Sequence, residues 1–179
     1  MKVIKTKIEG AVIIEPKVHG DERGFFVETF QVERYRELAG IHLPFVQDNR
    51  SRSSYGVLRG LHFQVNRPQG KLVRVSRGAV FDVAVDIRRE SPTFGEWVGV
   101  ELSEINHRQF WVPPGLAHGF VVTTETADFE YKCTDYYAPD DEASIVWNDP
   151  DLAINWPVDN PRVSAKDATA SRLADWMSE

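Results

Sequence analysis

The sequence predicts a mainly β fold, an antiparallel sandwich or barrel with a few short helices. Short runs of β-branched and aromatic residues recur along most of the chain, and Gly, Pro, Asn and Ser cluster between them at turn-like spacing. Only one early segment carries a helical stripe. A chain of 179 residues, 42% hydrophobic and 27% charged, fits one domain spanning 1–179. That length buries most of the apolar surface without disulfides or metals.

AVIIEPKV (11–18) is an apolar strand that bends at Pro16, and GFFVETF (24–30) is an aromatic one. VERYRELAG (32–40) is the helix: Val32, Tyr35, Leu38 and Ala39 fall near one stripe, and Gly40 suits a C-terminal cap. Seven strands follow: GVLRGLHFQ (56–64), KLVRVSRG (71–78), AVFDVAVDI (79–87), EWVGVEL (96–102), RQFWVP (108–113), GFVVTT (119–124) and DFEYKCTDYY (128–137). SAKDATASRLADW (164–176) reads as a loop and a short helix.

Alternation assigns faces. In 79–87, Phe81, Val83, Val85 and Ile87 share one side, while Asp82, Ala84 and Asp86 share the other. Such a polar face meets solvent or lines a polar cavity. In 57–64, strict alternation separates Arg59 from His62, unless Gly60 marks a bulge.

Charge is unevenly spread. Residues 50–77 hold seven Arg or Lys and no Asp or Glu, so in a chain of net charge −6 the remainder carries −13. A basic island in an acidic protein points to an anionic ligand held at one place, and away from nucleic acid as a partner. Arginine forks suit phosphate oxygens. The single cysteine, Cys133, allows neither an intrachain disulfide nor a thiolate zinc cluster, which suits a reducing compartment. MKVIKTKIEG has no apolar run of signal-peptide length, and no stretch reaches the ~20 apolar residues of a membrane span. The expectation is a cytoplasmic protein with no membrane partner.

Of five histidines, His42 and His107 lie in polar turns, whereas His62 and His118 lie among strand residues. WVPPGLAHGF (111–120) places His118 after a Pro-Gly turn, in a P-x-G-x-x-H spacing that resembles the second motif of the cupin superfamily of double-sheet barrels. The first cupin motif normally supplies H-x-H; here it reads His62-Phe63-Gln64. Two histidines are too few for a typical metal site, so no metal and no cofactor is expected. The fold class becomes a cupin-like double-sheet jelly-roll barrel whose histidines are free for proton work.

RGLHFQ, QGKLVRV, FDVAVDIR, SPTFGEWVGVEL, PPGLAHGF, YKCTDYY, IVWNDPDLAINWP and SAKD occur in this order. Together they resemble the dTDP-4-dehydrorhamnose 3,5-epimerase family, from about Gly10 to Asp167. The resemblance implies a metal-free homodimer that acts on a dTDP-sugar. It makes His62 the base, Tyr131 the general acid, Asp167 the carboxylate that orients His62, and Lys71 the enolate stabiliser. It places Arg59, His118, Glu142 and Lys166 among the substrate contacts. Arg23, Glu28, Gln47 and Asn49 fall on the nucleotide side, part of which comes from the neighbouring subunit. An alternative within the family is a relative that inverts one centre only.

The chemistry suits these residue types. Hydrogens at C-3 and C-5 are both alpha to a C-4 ketone, so removing either gives an enolate. Histidine titrates near working pH, a carboxylate on its far nitrogen fixes the tautomer, and a fixed cation stabilises the forming oxyanion. A tyrosine near a guanidinium, its pKa lowered, would return the proton from the other face. Phe25, Phe26 and Tyr137 are candidates to flank a thymine ring. Other uses stay open: Tyr131 fits a buried strand tyrosine, Asp167 a helix N-cap, and Lys71 a solvated edge charge.

Overall fold

The structure is a computed structural model and describes residues 1–176; the last three positions of the expected 1–179 domain lie outside the described residues. Thirteen strands appear among them: β1 (Lys2–Lys5), β2 (Val12–Glu15), β3 (Val18–Asp21), β4 (Gly24–Val27), β5 (Gln47–Ser54), β6 (Leu58–Gln64), β7 (Lys71–Arg77), β8 (Ala79–Asp86), β9 (Trp97–Ser103), β10 (Gln109–Val112), β11 (Leu116–Val122), β12 (Thr126–Cys133) and β13 (Glu142–Ser144). Helices α1 (Val32–Ala39), α2 (Ala165–Ala168) and α3 (Leu173–Trp176) complete the list of main elements.

Two antiparallel sheets face each other, in the order β1-β2-β10-β7-β12-β5 and β13-β6-β11-β8-β9. The strand pair β3–β4 stands apart as an exposed arm. This is the double-sheet barrel expected of a cupin-like fold. Between the sheets Val73, Val80, Phe110, Phe120, Val122 and Phe129 form the main core. Each such side chain contributes about 1.5–3 kcal/mol by leaving water. The odd side of β8 faces this interior: Val80 and Ala84 join the core, and Asp82 and Asp86 are fully buried beside them. Its other side, Phe81, Val83 and Val85, packs under a C-terminal layer that includes Ile145, Leu152, Trp156 and Leu173. Both faces are covered, so Asp82 and Asp86 each need internal partners.

The expected helix forms over 32–39, with Gln31 accepting from Arg34 N–H and Gly40 closing it at φ 69°. AVIIEPKV divides at Pro16 into β2 and the start of β3. β11 begins at Leu116, three residues ahead of the expected 119–124 strand, and so includes His118. The final segment forms two short helices rather than one, and Ser164, not Asp167, caps α2 by accepting from Asp167 N–H.

β1, β5 and β13 were not expected from the sequence. QDNRSRSS (47–54) lacks apolar alternation, yet pairs along its whole length with β12. It is an edge strand whose less exposed side chains are Gln47, Asn49, Ser51 and Ser53, the first two lining a polar cavity. Polar residues on both faces leave no periodic signal to read. No helix is long and apolar enough to cross a membrane among the described residues.

Candidate active site

The cavity lies at the mouth of the barrel. Pairing of β12 with β7 and β5 sets Val73, Tyr131 and Asn49 in one row and Lys71, Cys133 and Gln47 in the next. Tyr131 and Lys71 therefore share the inner face. On the facing sheet β6 pairs with β11 as His62↔His118 and Arg59↔Phe120. Three steps on β6 match two on β11, so β6 holds an extra residue. Gly60, at φ 121°, makes this close approach possible: a Cβ there would lie 2.6 Å from Gly119 Cα. The bulge reverses the parity of Arg59, which then lines a groove that His62 also lines.

A cavity of about 300 Å³ is lined by Gln47, Asn49, His62, Lys71, Tyr131 and Glu142, among others. An adjoining groove of about 580 Å³ is lined by Arg59, Tyr137, Arg162, Lys166 and Asp167, and shares His62 and Glu142 with the cavity. His62 thus stands where the two spaces meet.

Asp167 Oδ1 is 2.6 Å from His62 Nε2. The carboxylate is 3% exposed. It also accepts from Gly60 N–H at 3.5 Å. Burial pushes the Asp167 carboxyl up, but the His62 contact and these donors together hold it below the usual range. An ionised Asp167 accepts a hydrogen bond from Nε2–H, leaving His62 Nδ1 as the nitrogen with a free lone pair.

Lys71 is not an edge charge. β7 is central in its sheet, and desolvation lowers the Lys71 pKa against the opposing pull of Cys133, Glu142 and Asp82. A desolvated ammonium interacts more strongly with charge forming beside it. For Tyr131 the expected lowering is overturned: burial raises its pKa, and the nearby Arg59 offsets only part of this. The phenol keeps its proton, as a proton donor must.

His118 lies next to His62 across the strands and is buried. Its Nε2 is 3.0 Å from both Asp82 oxygens, and its ring stacks on Phe129. This second histidine–aspartate pair satisfies one of the buried carboxylates, and the sequence had signalled it only as the odd polar face of β8. Glu142 accepts from Tyr137 Oη at 3.0 Å and from Lys166 Nζ. Gln47 bonds Asn49, which bonds the Cys133 sulfur. No group of three or more His, Cys, Asp or Glu side chains is arranged to hold a metal ion among the described residues.

Two groups of sequence candidates lie elsewhere. Arg23 pairs with Asp21, and Glu28 with Arg34, on and beside the β3–β4 arm rather than at His62. The basic island also does not converge on the cavity. Arg50 and Arg52 pair with Asp128, Arg74 with Glu130 and Arg67 with Asp135, because β12 and the turn after it bring acids back across the sheet. A hollow of about 440 Å³ on that outer face is lined by several of these charges, Asp48, Arg50, Arg74 and Glu130. Only Arg59 and Lys71 of the island line the two spaces that meet at His62.

A family model described as dTDP-4-dehydrorhamnose 3,5-epimerase matches residues 5–175. The chain belongs to the dTDP-4-dehydrorhamnose 3,5-epimerase family. A dTDP-4-dehydrorhamnose 3,5-epimerase of Salmonella typhimurium is 58% identical over 175 residues, covering 97% of this chain and 96% of its own. A crystal structure of dTDP-6-deoxy-D-glucose-3,5-epimerase from Legionella pneumophila, in complex with dTDP-4-keto-L-rhamnose, gives a TM-score of 0.94 at 61% identity, over 97% of this chain and 93% of that one. A 3′-monoepimerase from Streptomyces bikiniensis, in complex with dTDP-quinovose, gives 0.91 at 37% identity, over 97% and 88%. In this chain the cavity brings a histidine, a tyrosine and a lysine together from facing sheets.

Proposed function

We propose that the protein epimerises C-3 and C-5 of dTDP-4-dehydro-6-deoxy-D-glucose to give dTDP-4-dehydro-L-rhamnose, in dTDP-L-rhamnose biosynthesis. The observation that carries the mechanism is the His62–Asp167 pair at the junction of cavity and groove, facing the sheet that bears Tyr131 and Lys71. His62 Nδ1 takes the proton alpha to the C-4 ketone, and Asp167 stabilises the imidazolium that forms. The Lys71 ammonium stabilises the enolate oxygen. Tyr131 returns a proton from the other side of the ring, inverting the centre; His62 then gives its proton to solvent and the Tyr131 phenolate regains one from solvent, and the reset pair repeats the cycle at the second carbon. Arg59, His118, Glu142 and Lys166 hold the sugar and diphosphate, and Gln47 and Asn49 the nucleotide end.

The working form is a homodimer in the cytoplasm, each subunit a single domain. Its arm supports this: Phe25 and Phe26 are 63% and 71% exposed. An exposed aromatic strand of this kind is suited to a partner surface. On a second subunit it would bring Arg23 and Glu28 to the nucleotide, which they do not reach within one chain.

The test is proton NMR of the substrate in deuterium oxide. Exchange and inversion at both C-3 and C-5 support the reading. Exchange at one carbon alone would make the protein a single-centre epimerase, like the Streptomyces bikiniensis relative.

A further inference from the structure

The groove beside His62 holds a cation that no sequence motif marks. Arg162 lies in the irregular stretch before α2, yet its backbone is fixed. Its N–H donates to Gly56 O at 2.7 Å, and its carbonyl accepts from Leu58 N–H at 2.9 Å. It is thereby bridged in parallel to Val57, the residue just before β6, the strand that carries Arg59 and His62.

Most arginines here are spent on carboxylates, including Arg50, Arg52, Arg67, Arg74 and Arg88. Arg59 and Arg162 are different. Neither forms an ion pair among the described residues, and both line the same groove. Neighbouring serines of β5 hold them. Arg59 Nε donates to Ser53 Oγ at 3.2 Å, and Arg162 Nη2 donates to Ser54 Oγ at 3.0 Å and also to Tyr55 O. A guanidinium carries five N–H donors. These contacts leave both Nη groups of Arg59, and Nε and Nη1 of Arg162, without hydrogen-bond partners among the described residues. The third cation of the groove, Lys166, is neutralised by Glu142. Two guanidiniums oriented through neutral oxygens, with donors in reserve and charge uncompensated, make a site for an anion with several oxygens.

We propose that Arg162 is a specificity-determining residue that binds the diphosphate of the nucleotide sugar together with Arg59. This rests on the dTDP-sugar reading of the same site. The arrangement divides the labour: the cavity handles the ketone, and the groove grips the phosphates through a residue held from the C-terminal segment.

The experiment compares binding of dTDP and of thymidine to the wild type, Arg162→Gln and Arg162→Lys, with Tm recorded for each. Arg162→Gln should weaken dTDP about tenfold, the worth of a charge-assisted bond, and should shift thymidine less than twofold. Arg162→Lys should recover part of the dTDP loss. KM for the nucleotide sugar should rise with the dTDP dissociation constant. If dTDP affinity is unchanged, or if dTDP and thymidine weaken equally, Arg162 only clamps the 54–57 lip and the proposal is overturned. Wild-type protein that does not bind dTDP would instead overturn the underlying substrate reading, and this inference with it.

Discussion

Asp167 Oδ1 and His62 Nε2 meet at 2.6 Å although 105 residues separate them in the chain. The contact fixes which ring nitrogen is free. Asp167→Asn keeps the shape but loses the charge and can offer His62 the wrong hydrogen-bond partner. We expect kcat to fall by about 10²–10⁴. His62→Ala should abolish deuterium uptake at both carbons. Following C-3 and C-5 hydrogens by NMR measures both variants at once.

Tyr131→Phe separates proton removal from inversion. The base remains, so deuterium should still enter the substrate, but delivery from the opposite side is lost. Exchange should outrun epimerisation, the reverse of the wild type. Equal loss of the two rates would remove Tyr131 from the proton path.

Lys71 yields a prediction about pH. Its pKa lies below the ordinary 10.5 because it is desolvated. The charged form is present at low pH and is lost as pH rises through that lowered value. The rate profile should therefore bend downward on the alkaline side before pH 10.5. Lys71→Arg should move the bend upward. Lys71→Met should remove about 10²–10³ of kcat, the usual cost of one oxyanion donor.

Gly60→Ala tests the bulge. The new Cβ would lie 2.6 Å from Gly119 Cα and 2.7 Å from His118 O, at a φ of 121°. Backbone strain and overpacking together should cost about 2–4 kcal/mol. Tm should fall by roughly 5–15 °C. Because the bulge aims Arg59 into the groove, the surviving fold should also bind dTDP more weakly.

Asp86 should govern acid sensitivity. It is fully buried and accepts from Arg88, Ser91 and Thr93. Burial pushes its pKa up, but these donors more than reverse that and hold it well below 3.8. A depressed carboxylate stabilises the fold above its unfolded pKa, and that stability is lost as pH falls through the folded one. Tm should drop steadily below about pH 4. Asp86→Asn should be less stable at neutral pH and show a shallower acid slope.

How much of this could be read from the sequence depended on where polar residues sat. Strands with one apolar face, such as β7, β8 and β12, declared themselves through alternation. β5 did not, because its inner face serves a wet cavity and its outer face carries ion pairs. His62 and His118 stood out as polar residues in strand context. Their partnership with Asp167 and Asp82 was different in kind. The first was implied by family resemblance, whereas the second depended on strand register that no local pattern specifies. Arg59 illustrates the limit: its direction hangs on one extra residue in β6. The basic island misled for a related reason, since the acids that neutralise it arrive from a strand far along the chain. Arg162 gave no signal, because its position depends on a single isolated bridge to Val57, just before β6.

The C-terminal segment has a consequence for how the protein matures. Every barrel strand precedes it in the chain, so the two sheets can close around their core before Asp167 exists near His62. Bridges from Ile145 to Ser171 and from Val57 to Arg162, with Asp149 accepting from Leu173 N–H, then lay this tail along the outside. A barrel without this tail would have His62 in place but no Asp167 beside it. The segment that brings Asp167 to His62 is also the one whose Leu152, Trp156 and Leu173 cover the outer side of β8, so packing and the histidine–aspartate contact are joined in one stretch of chain.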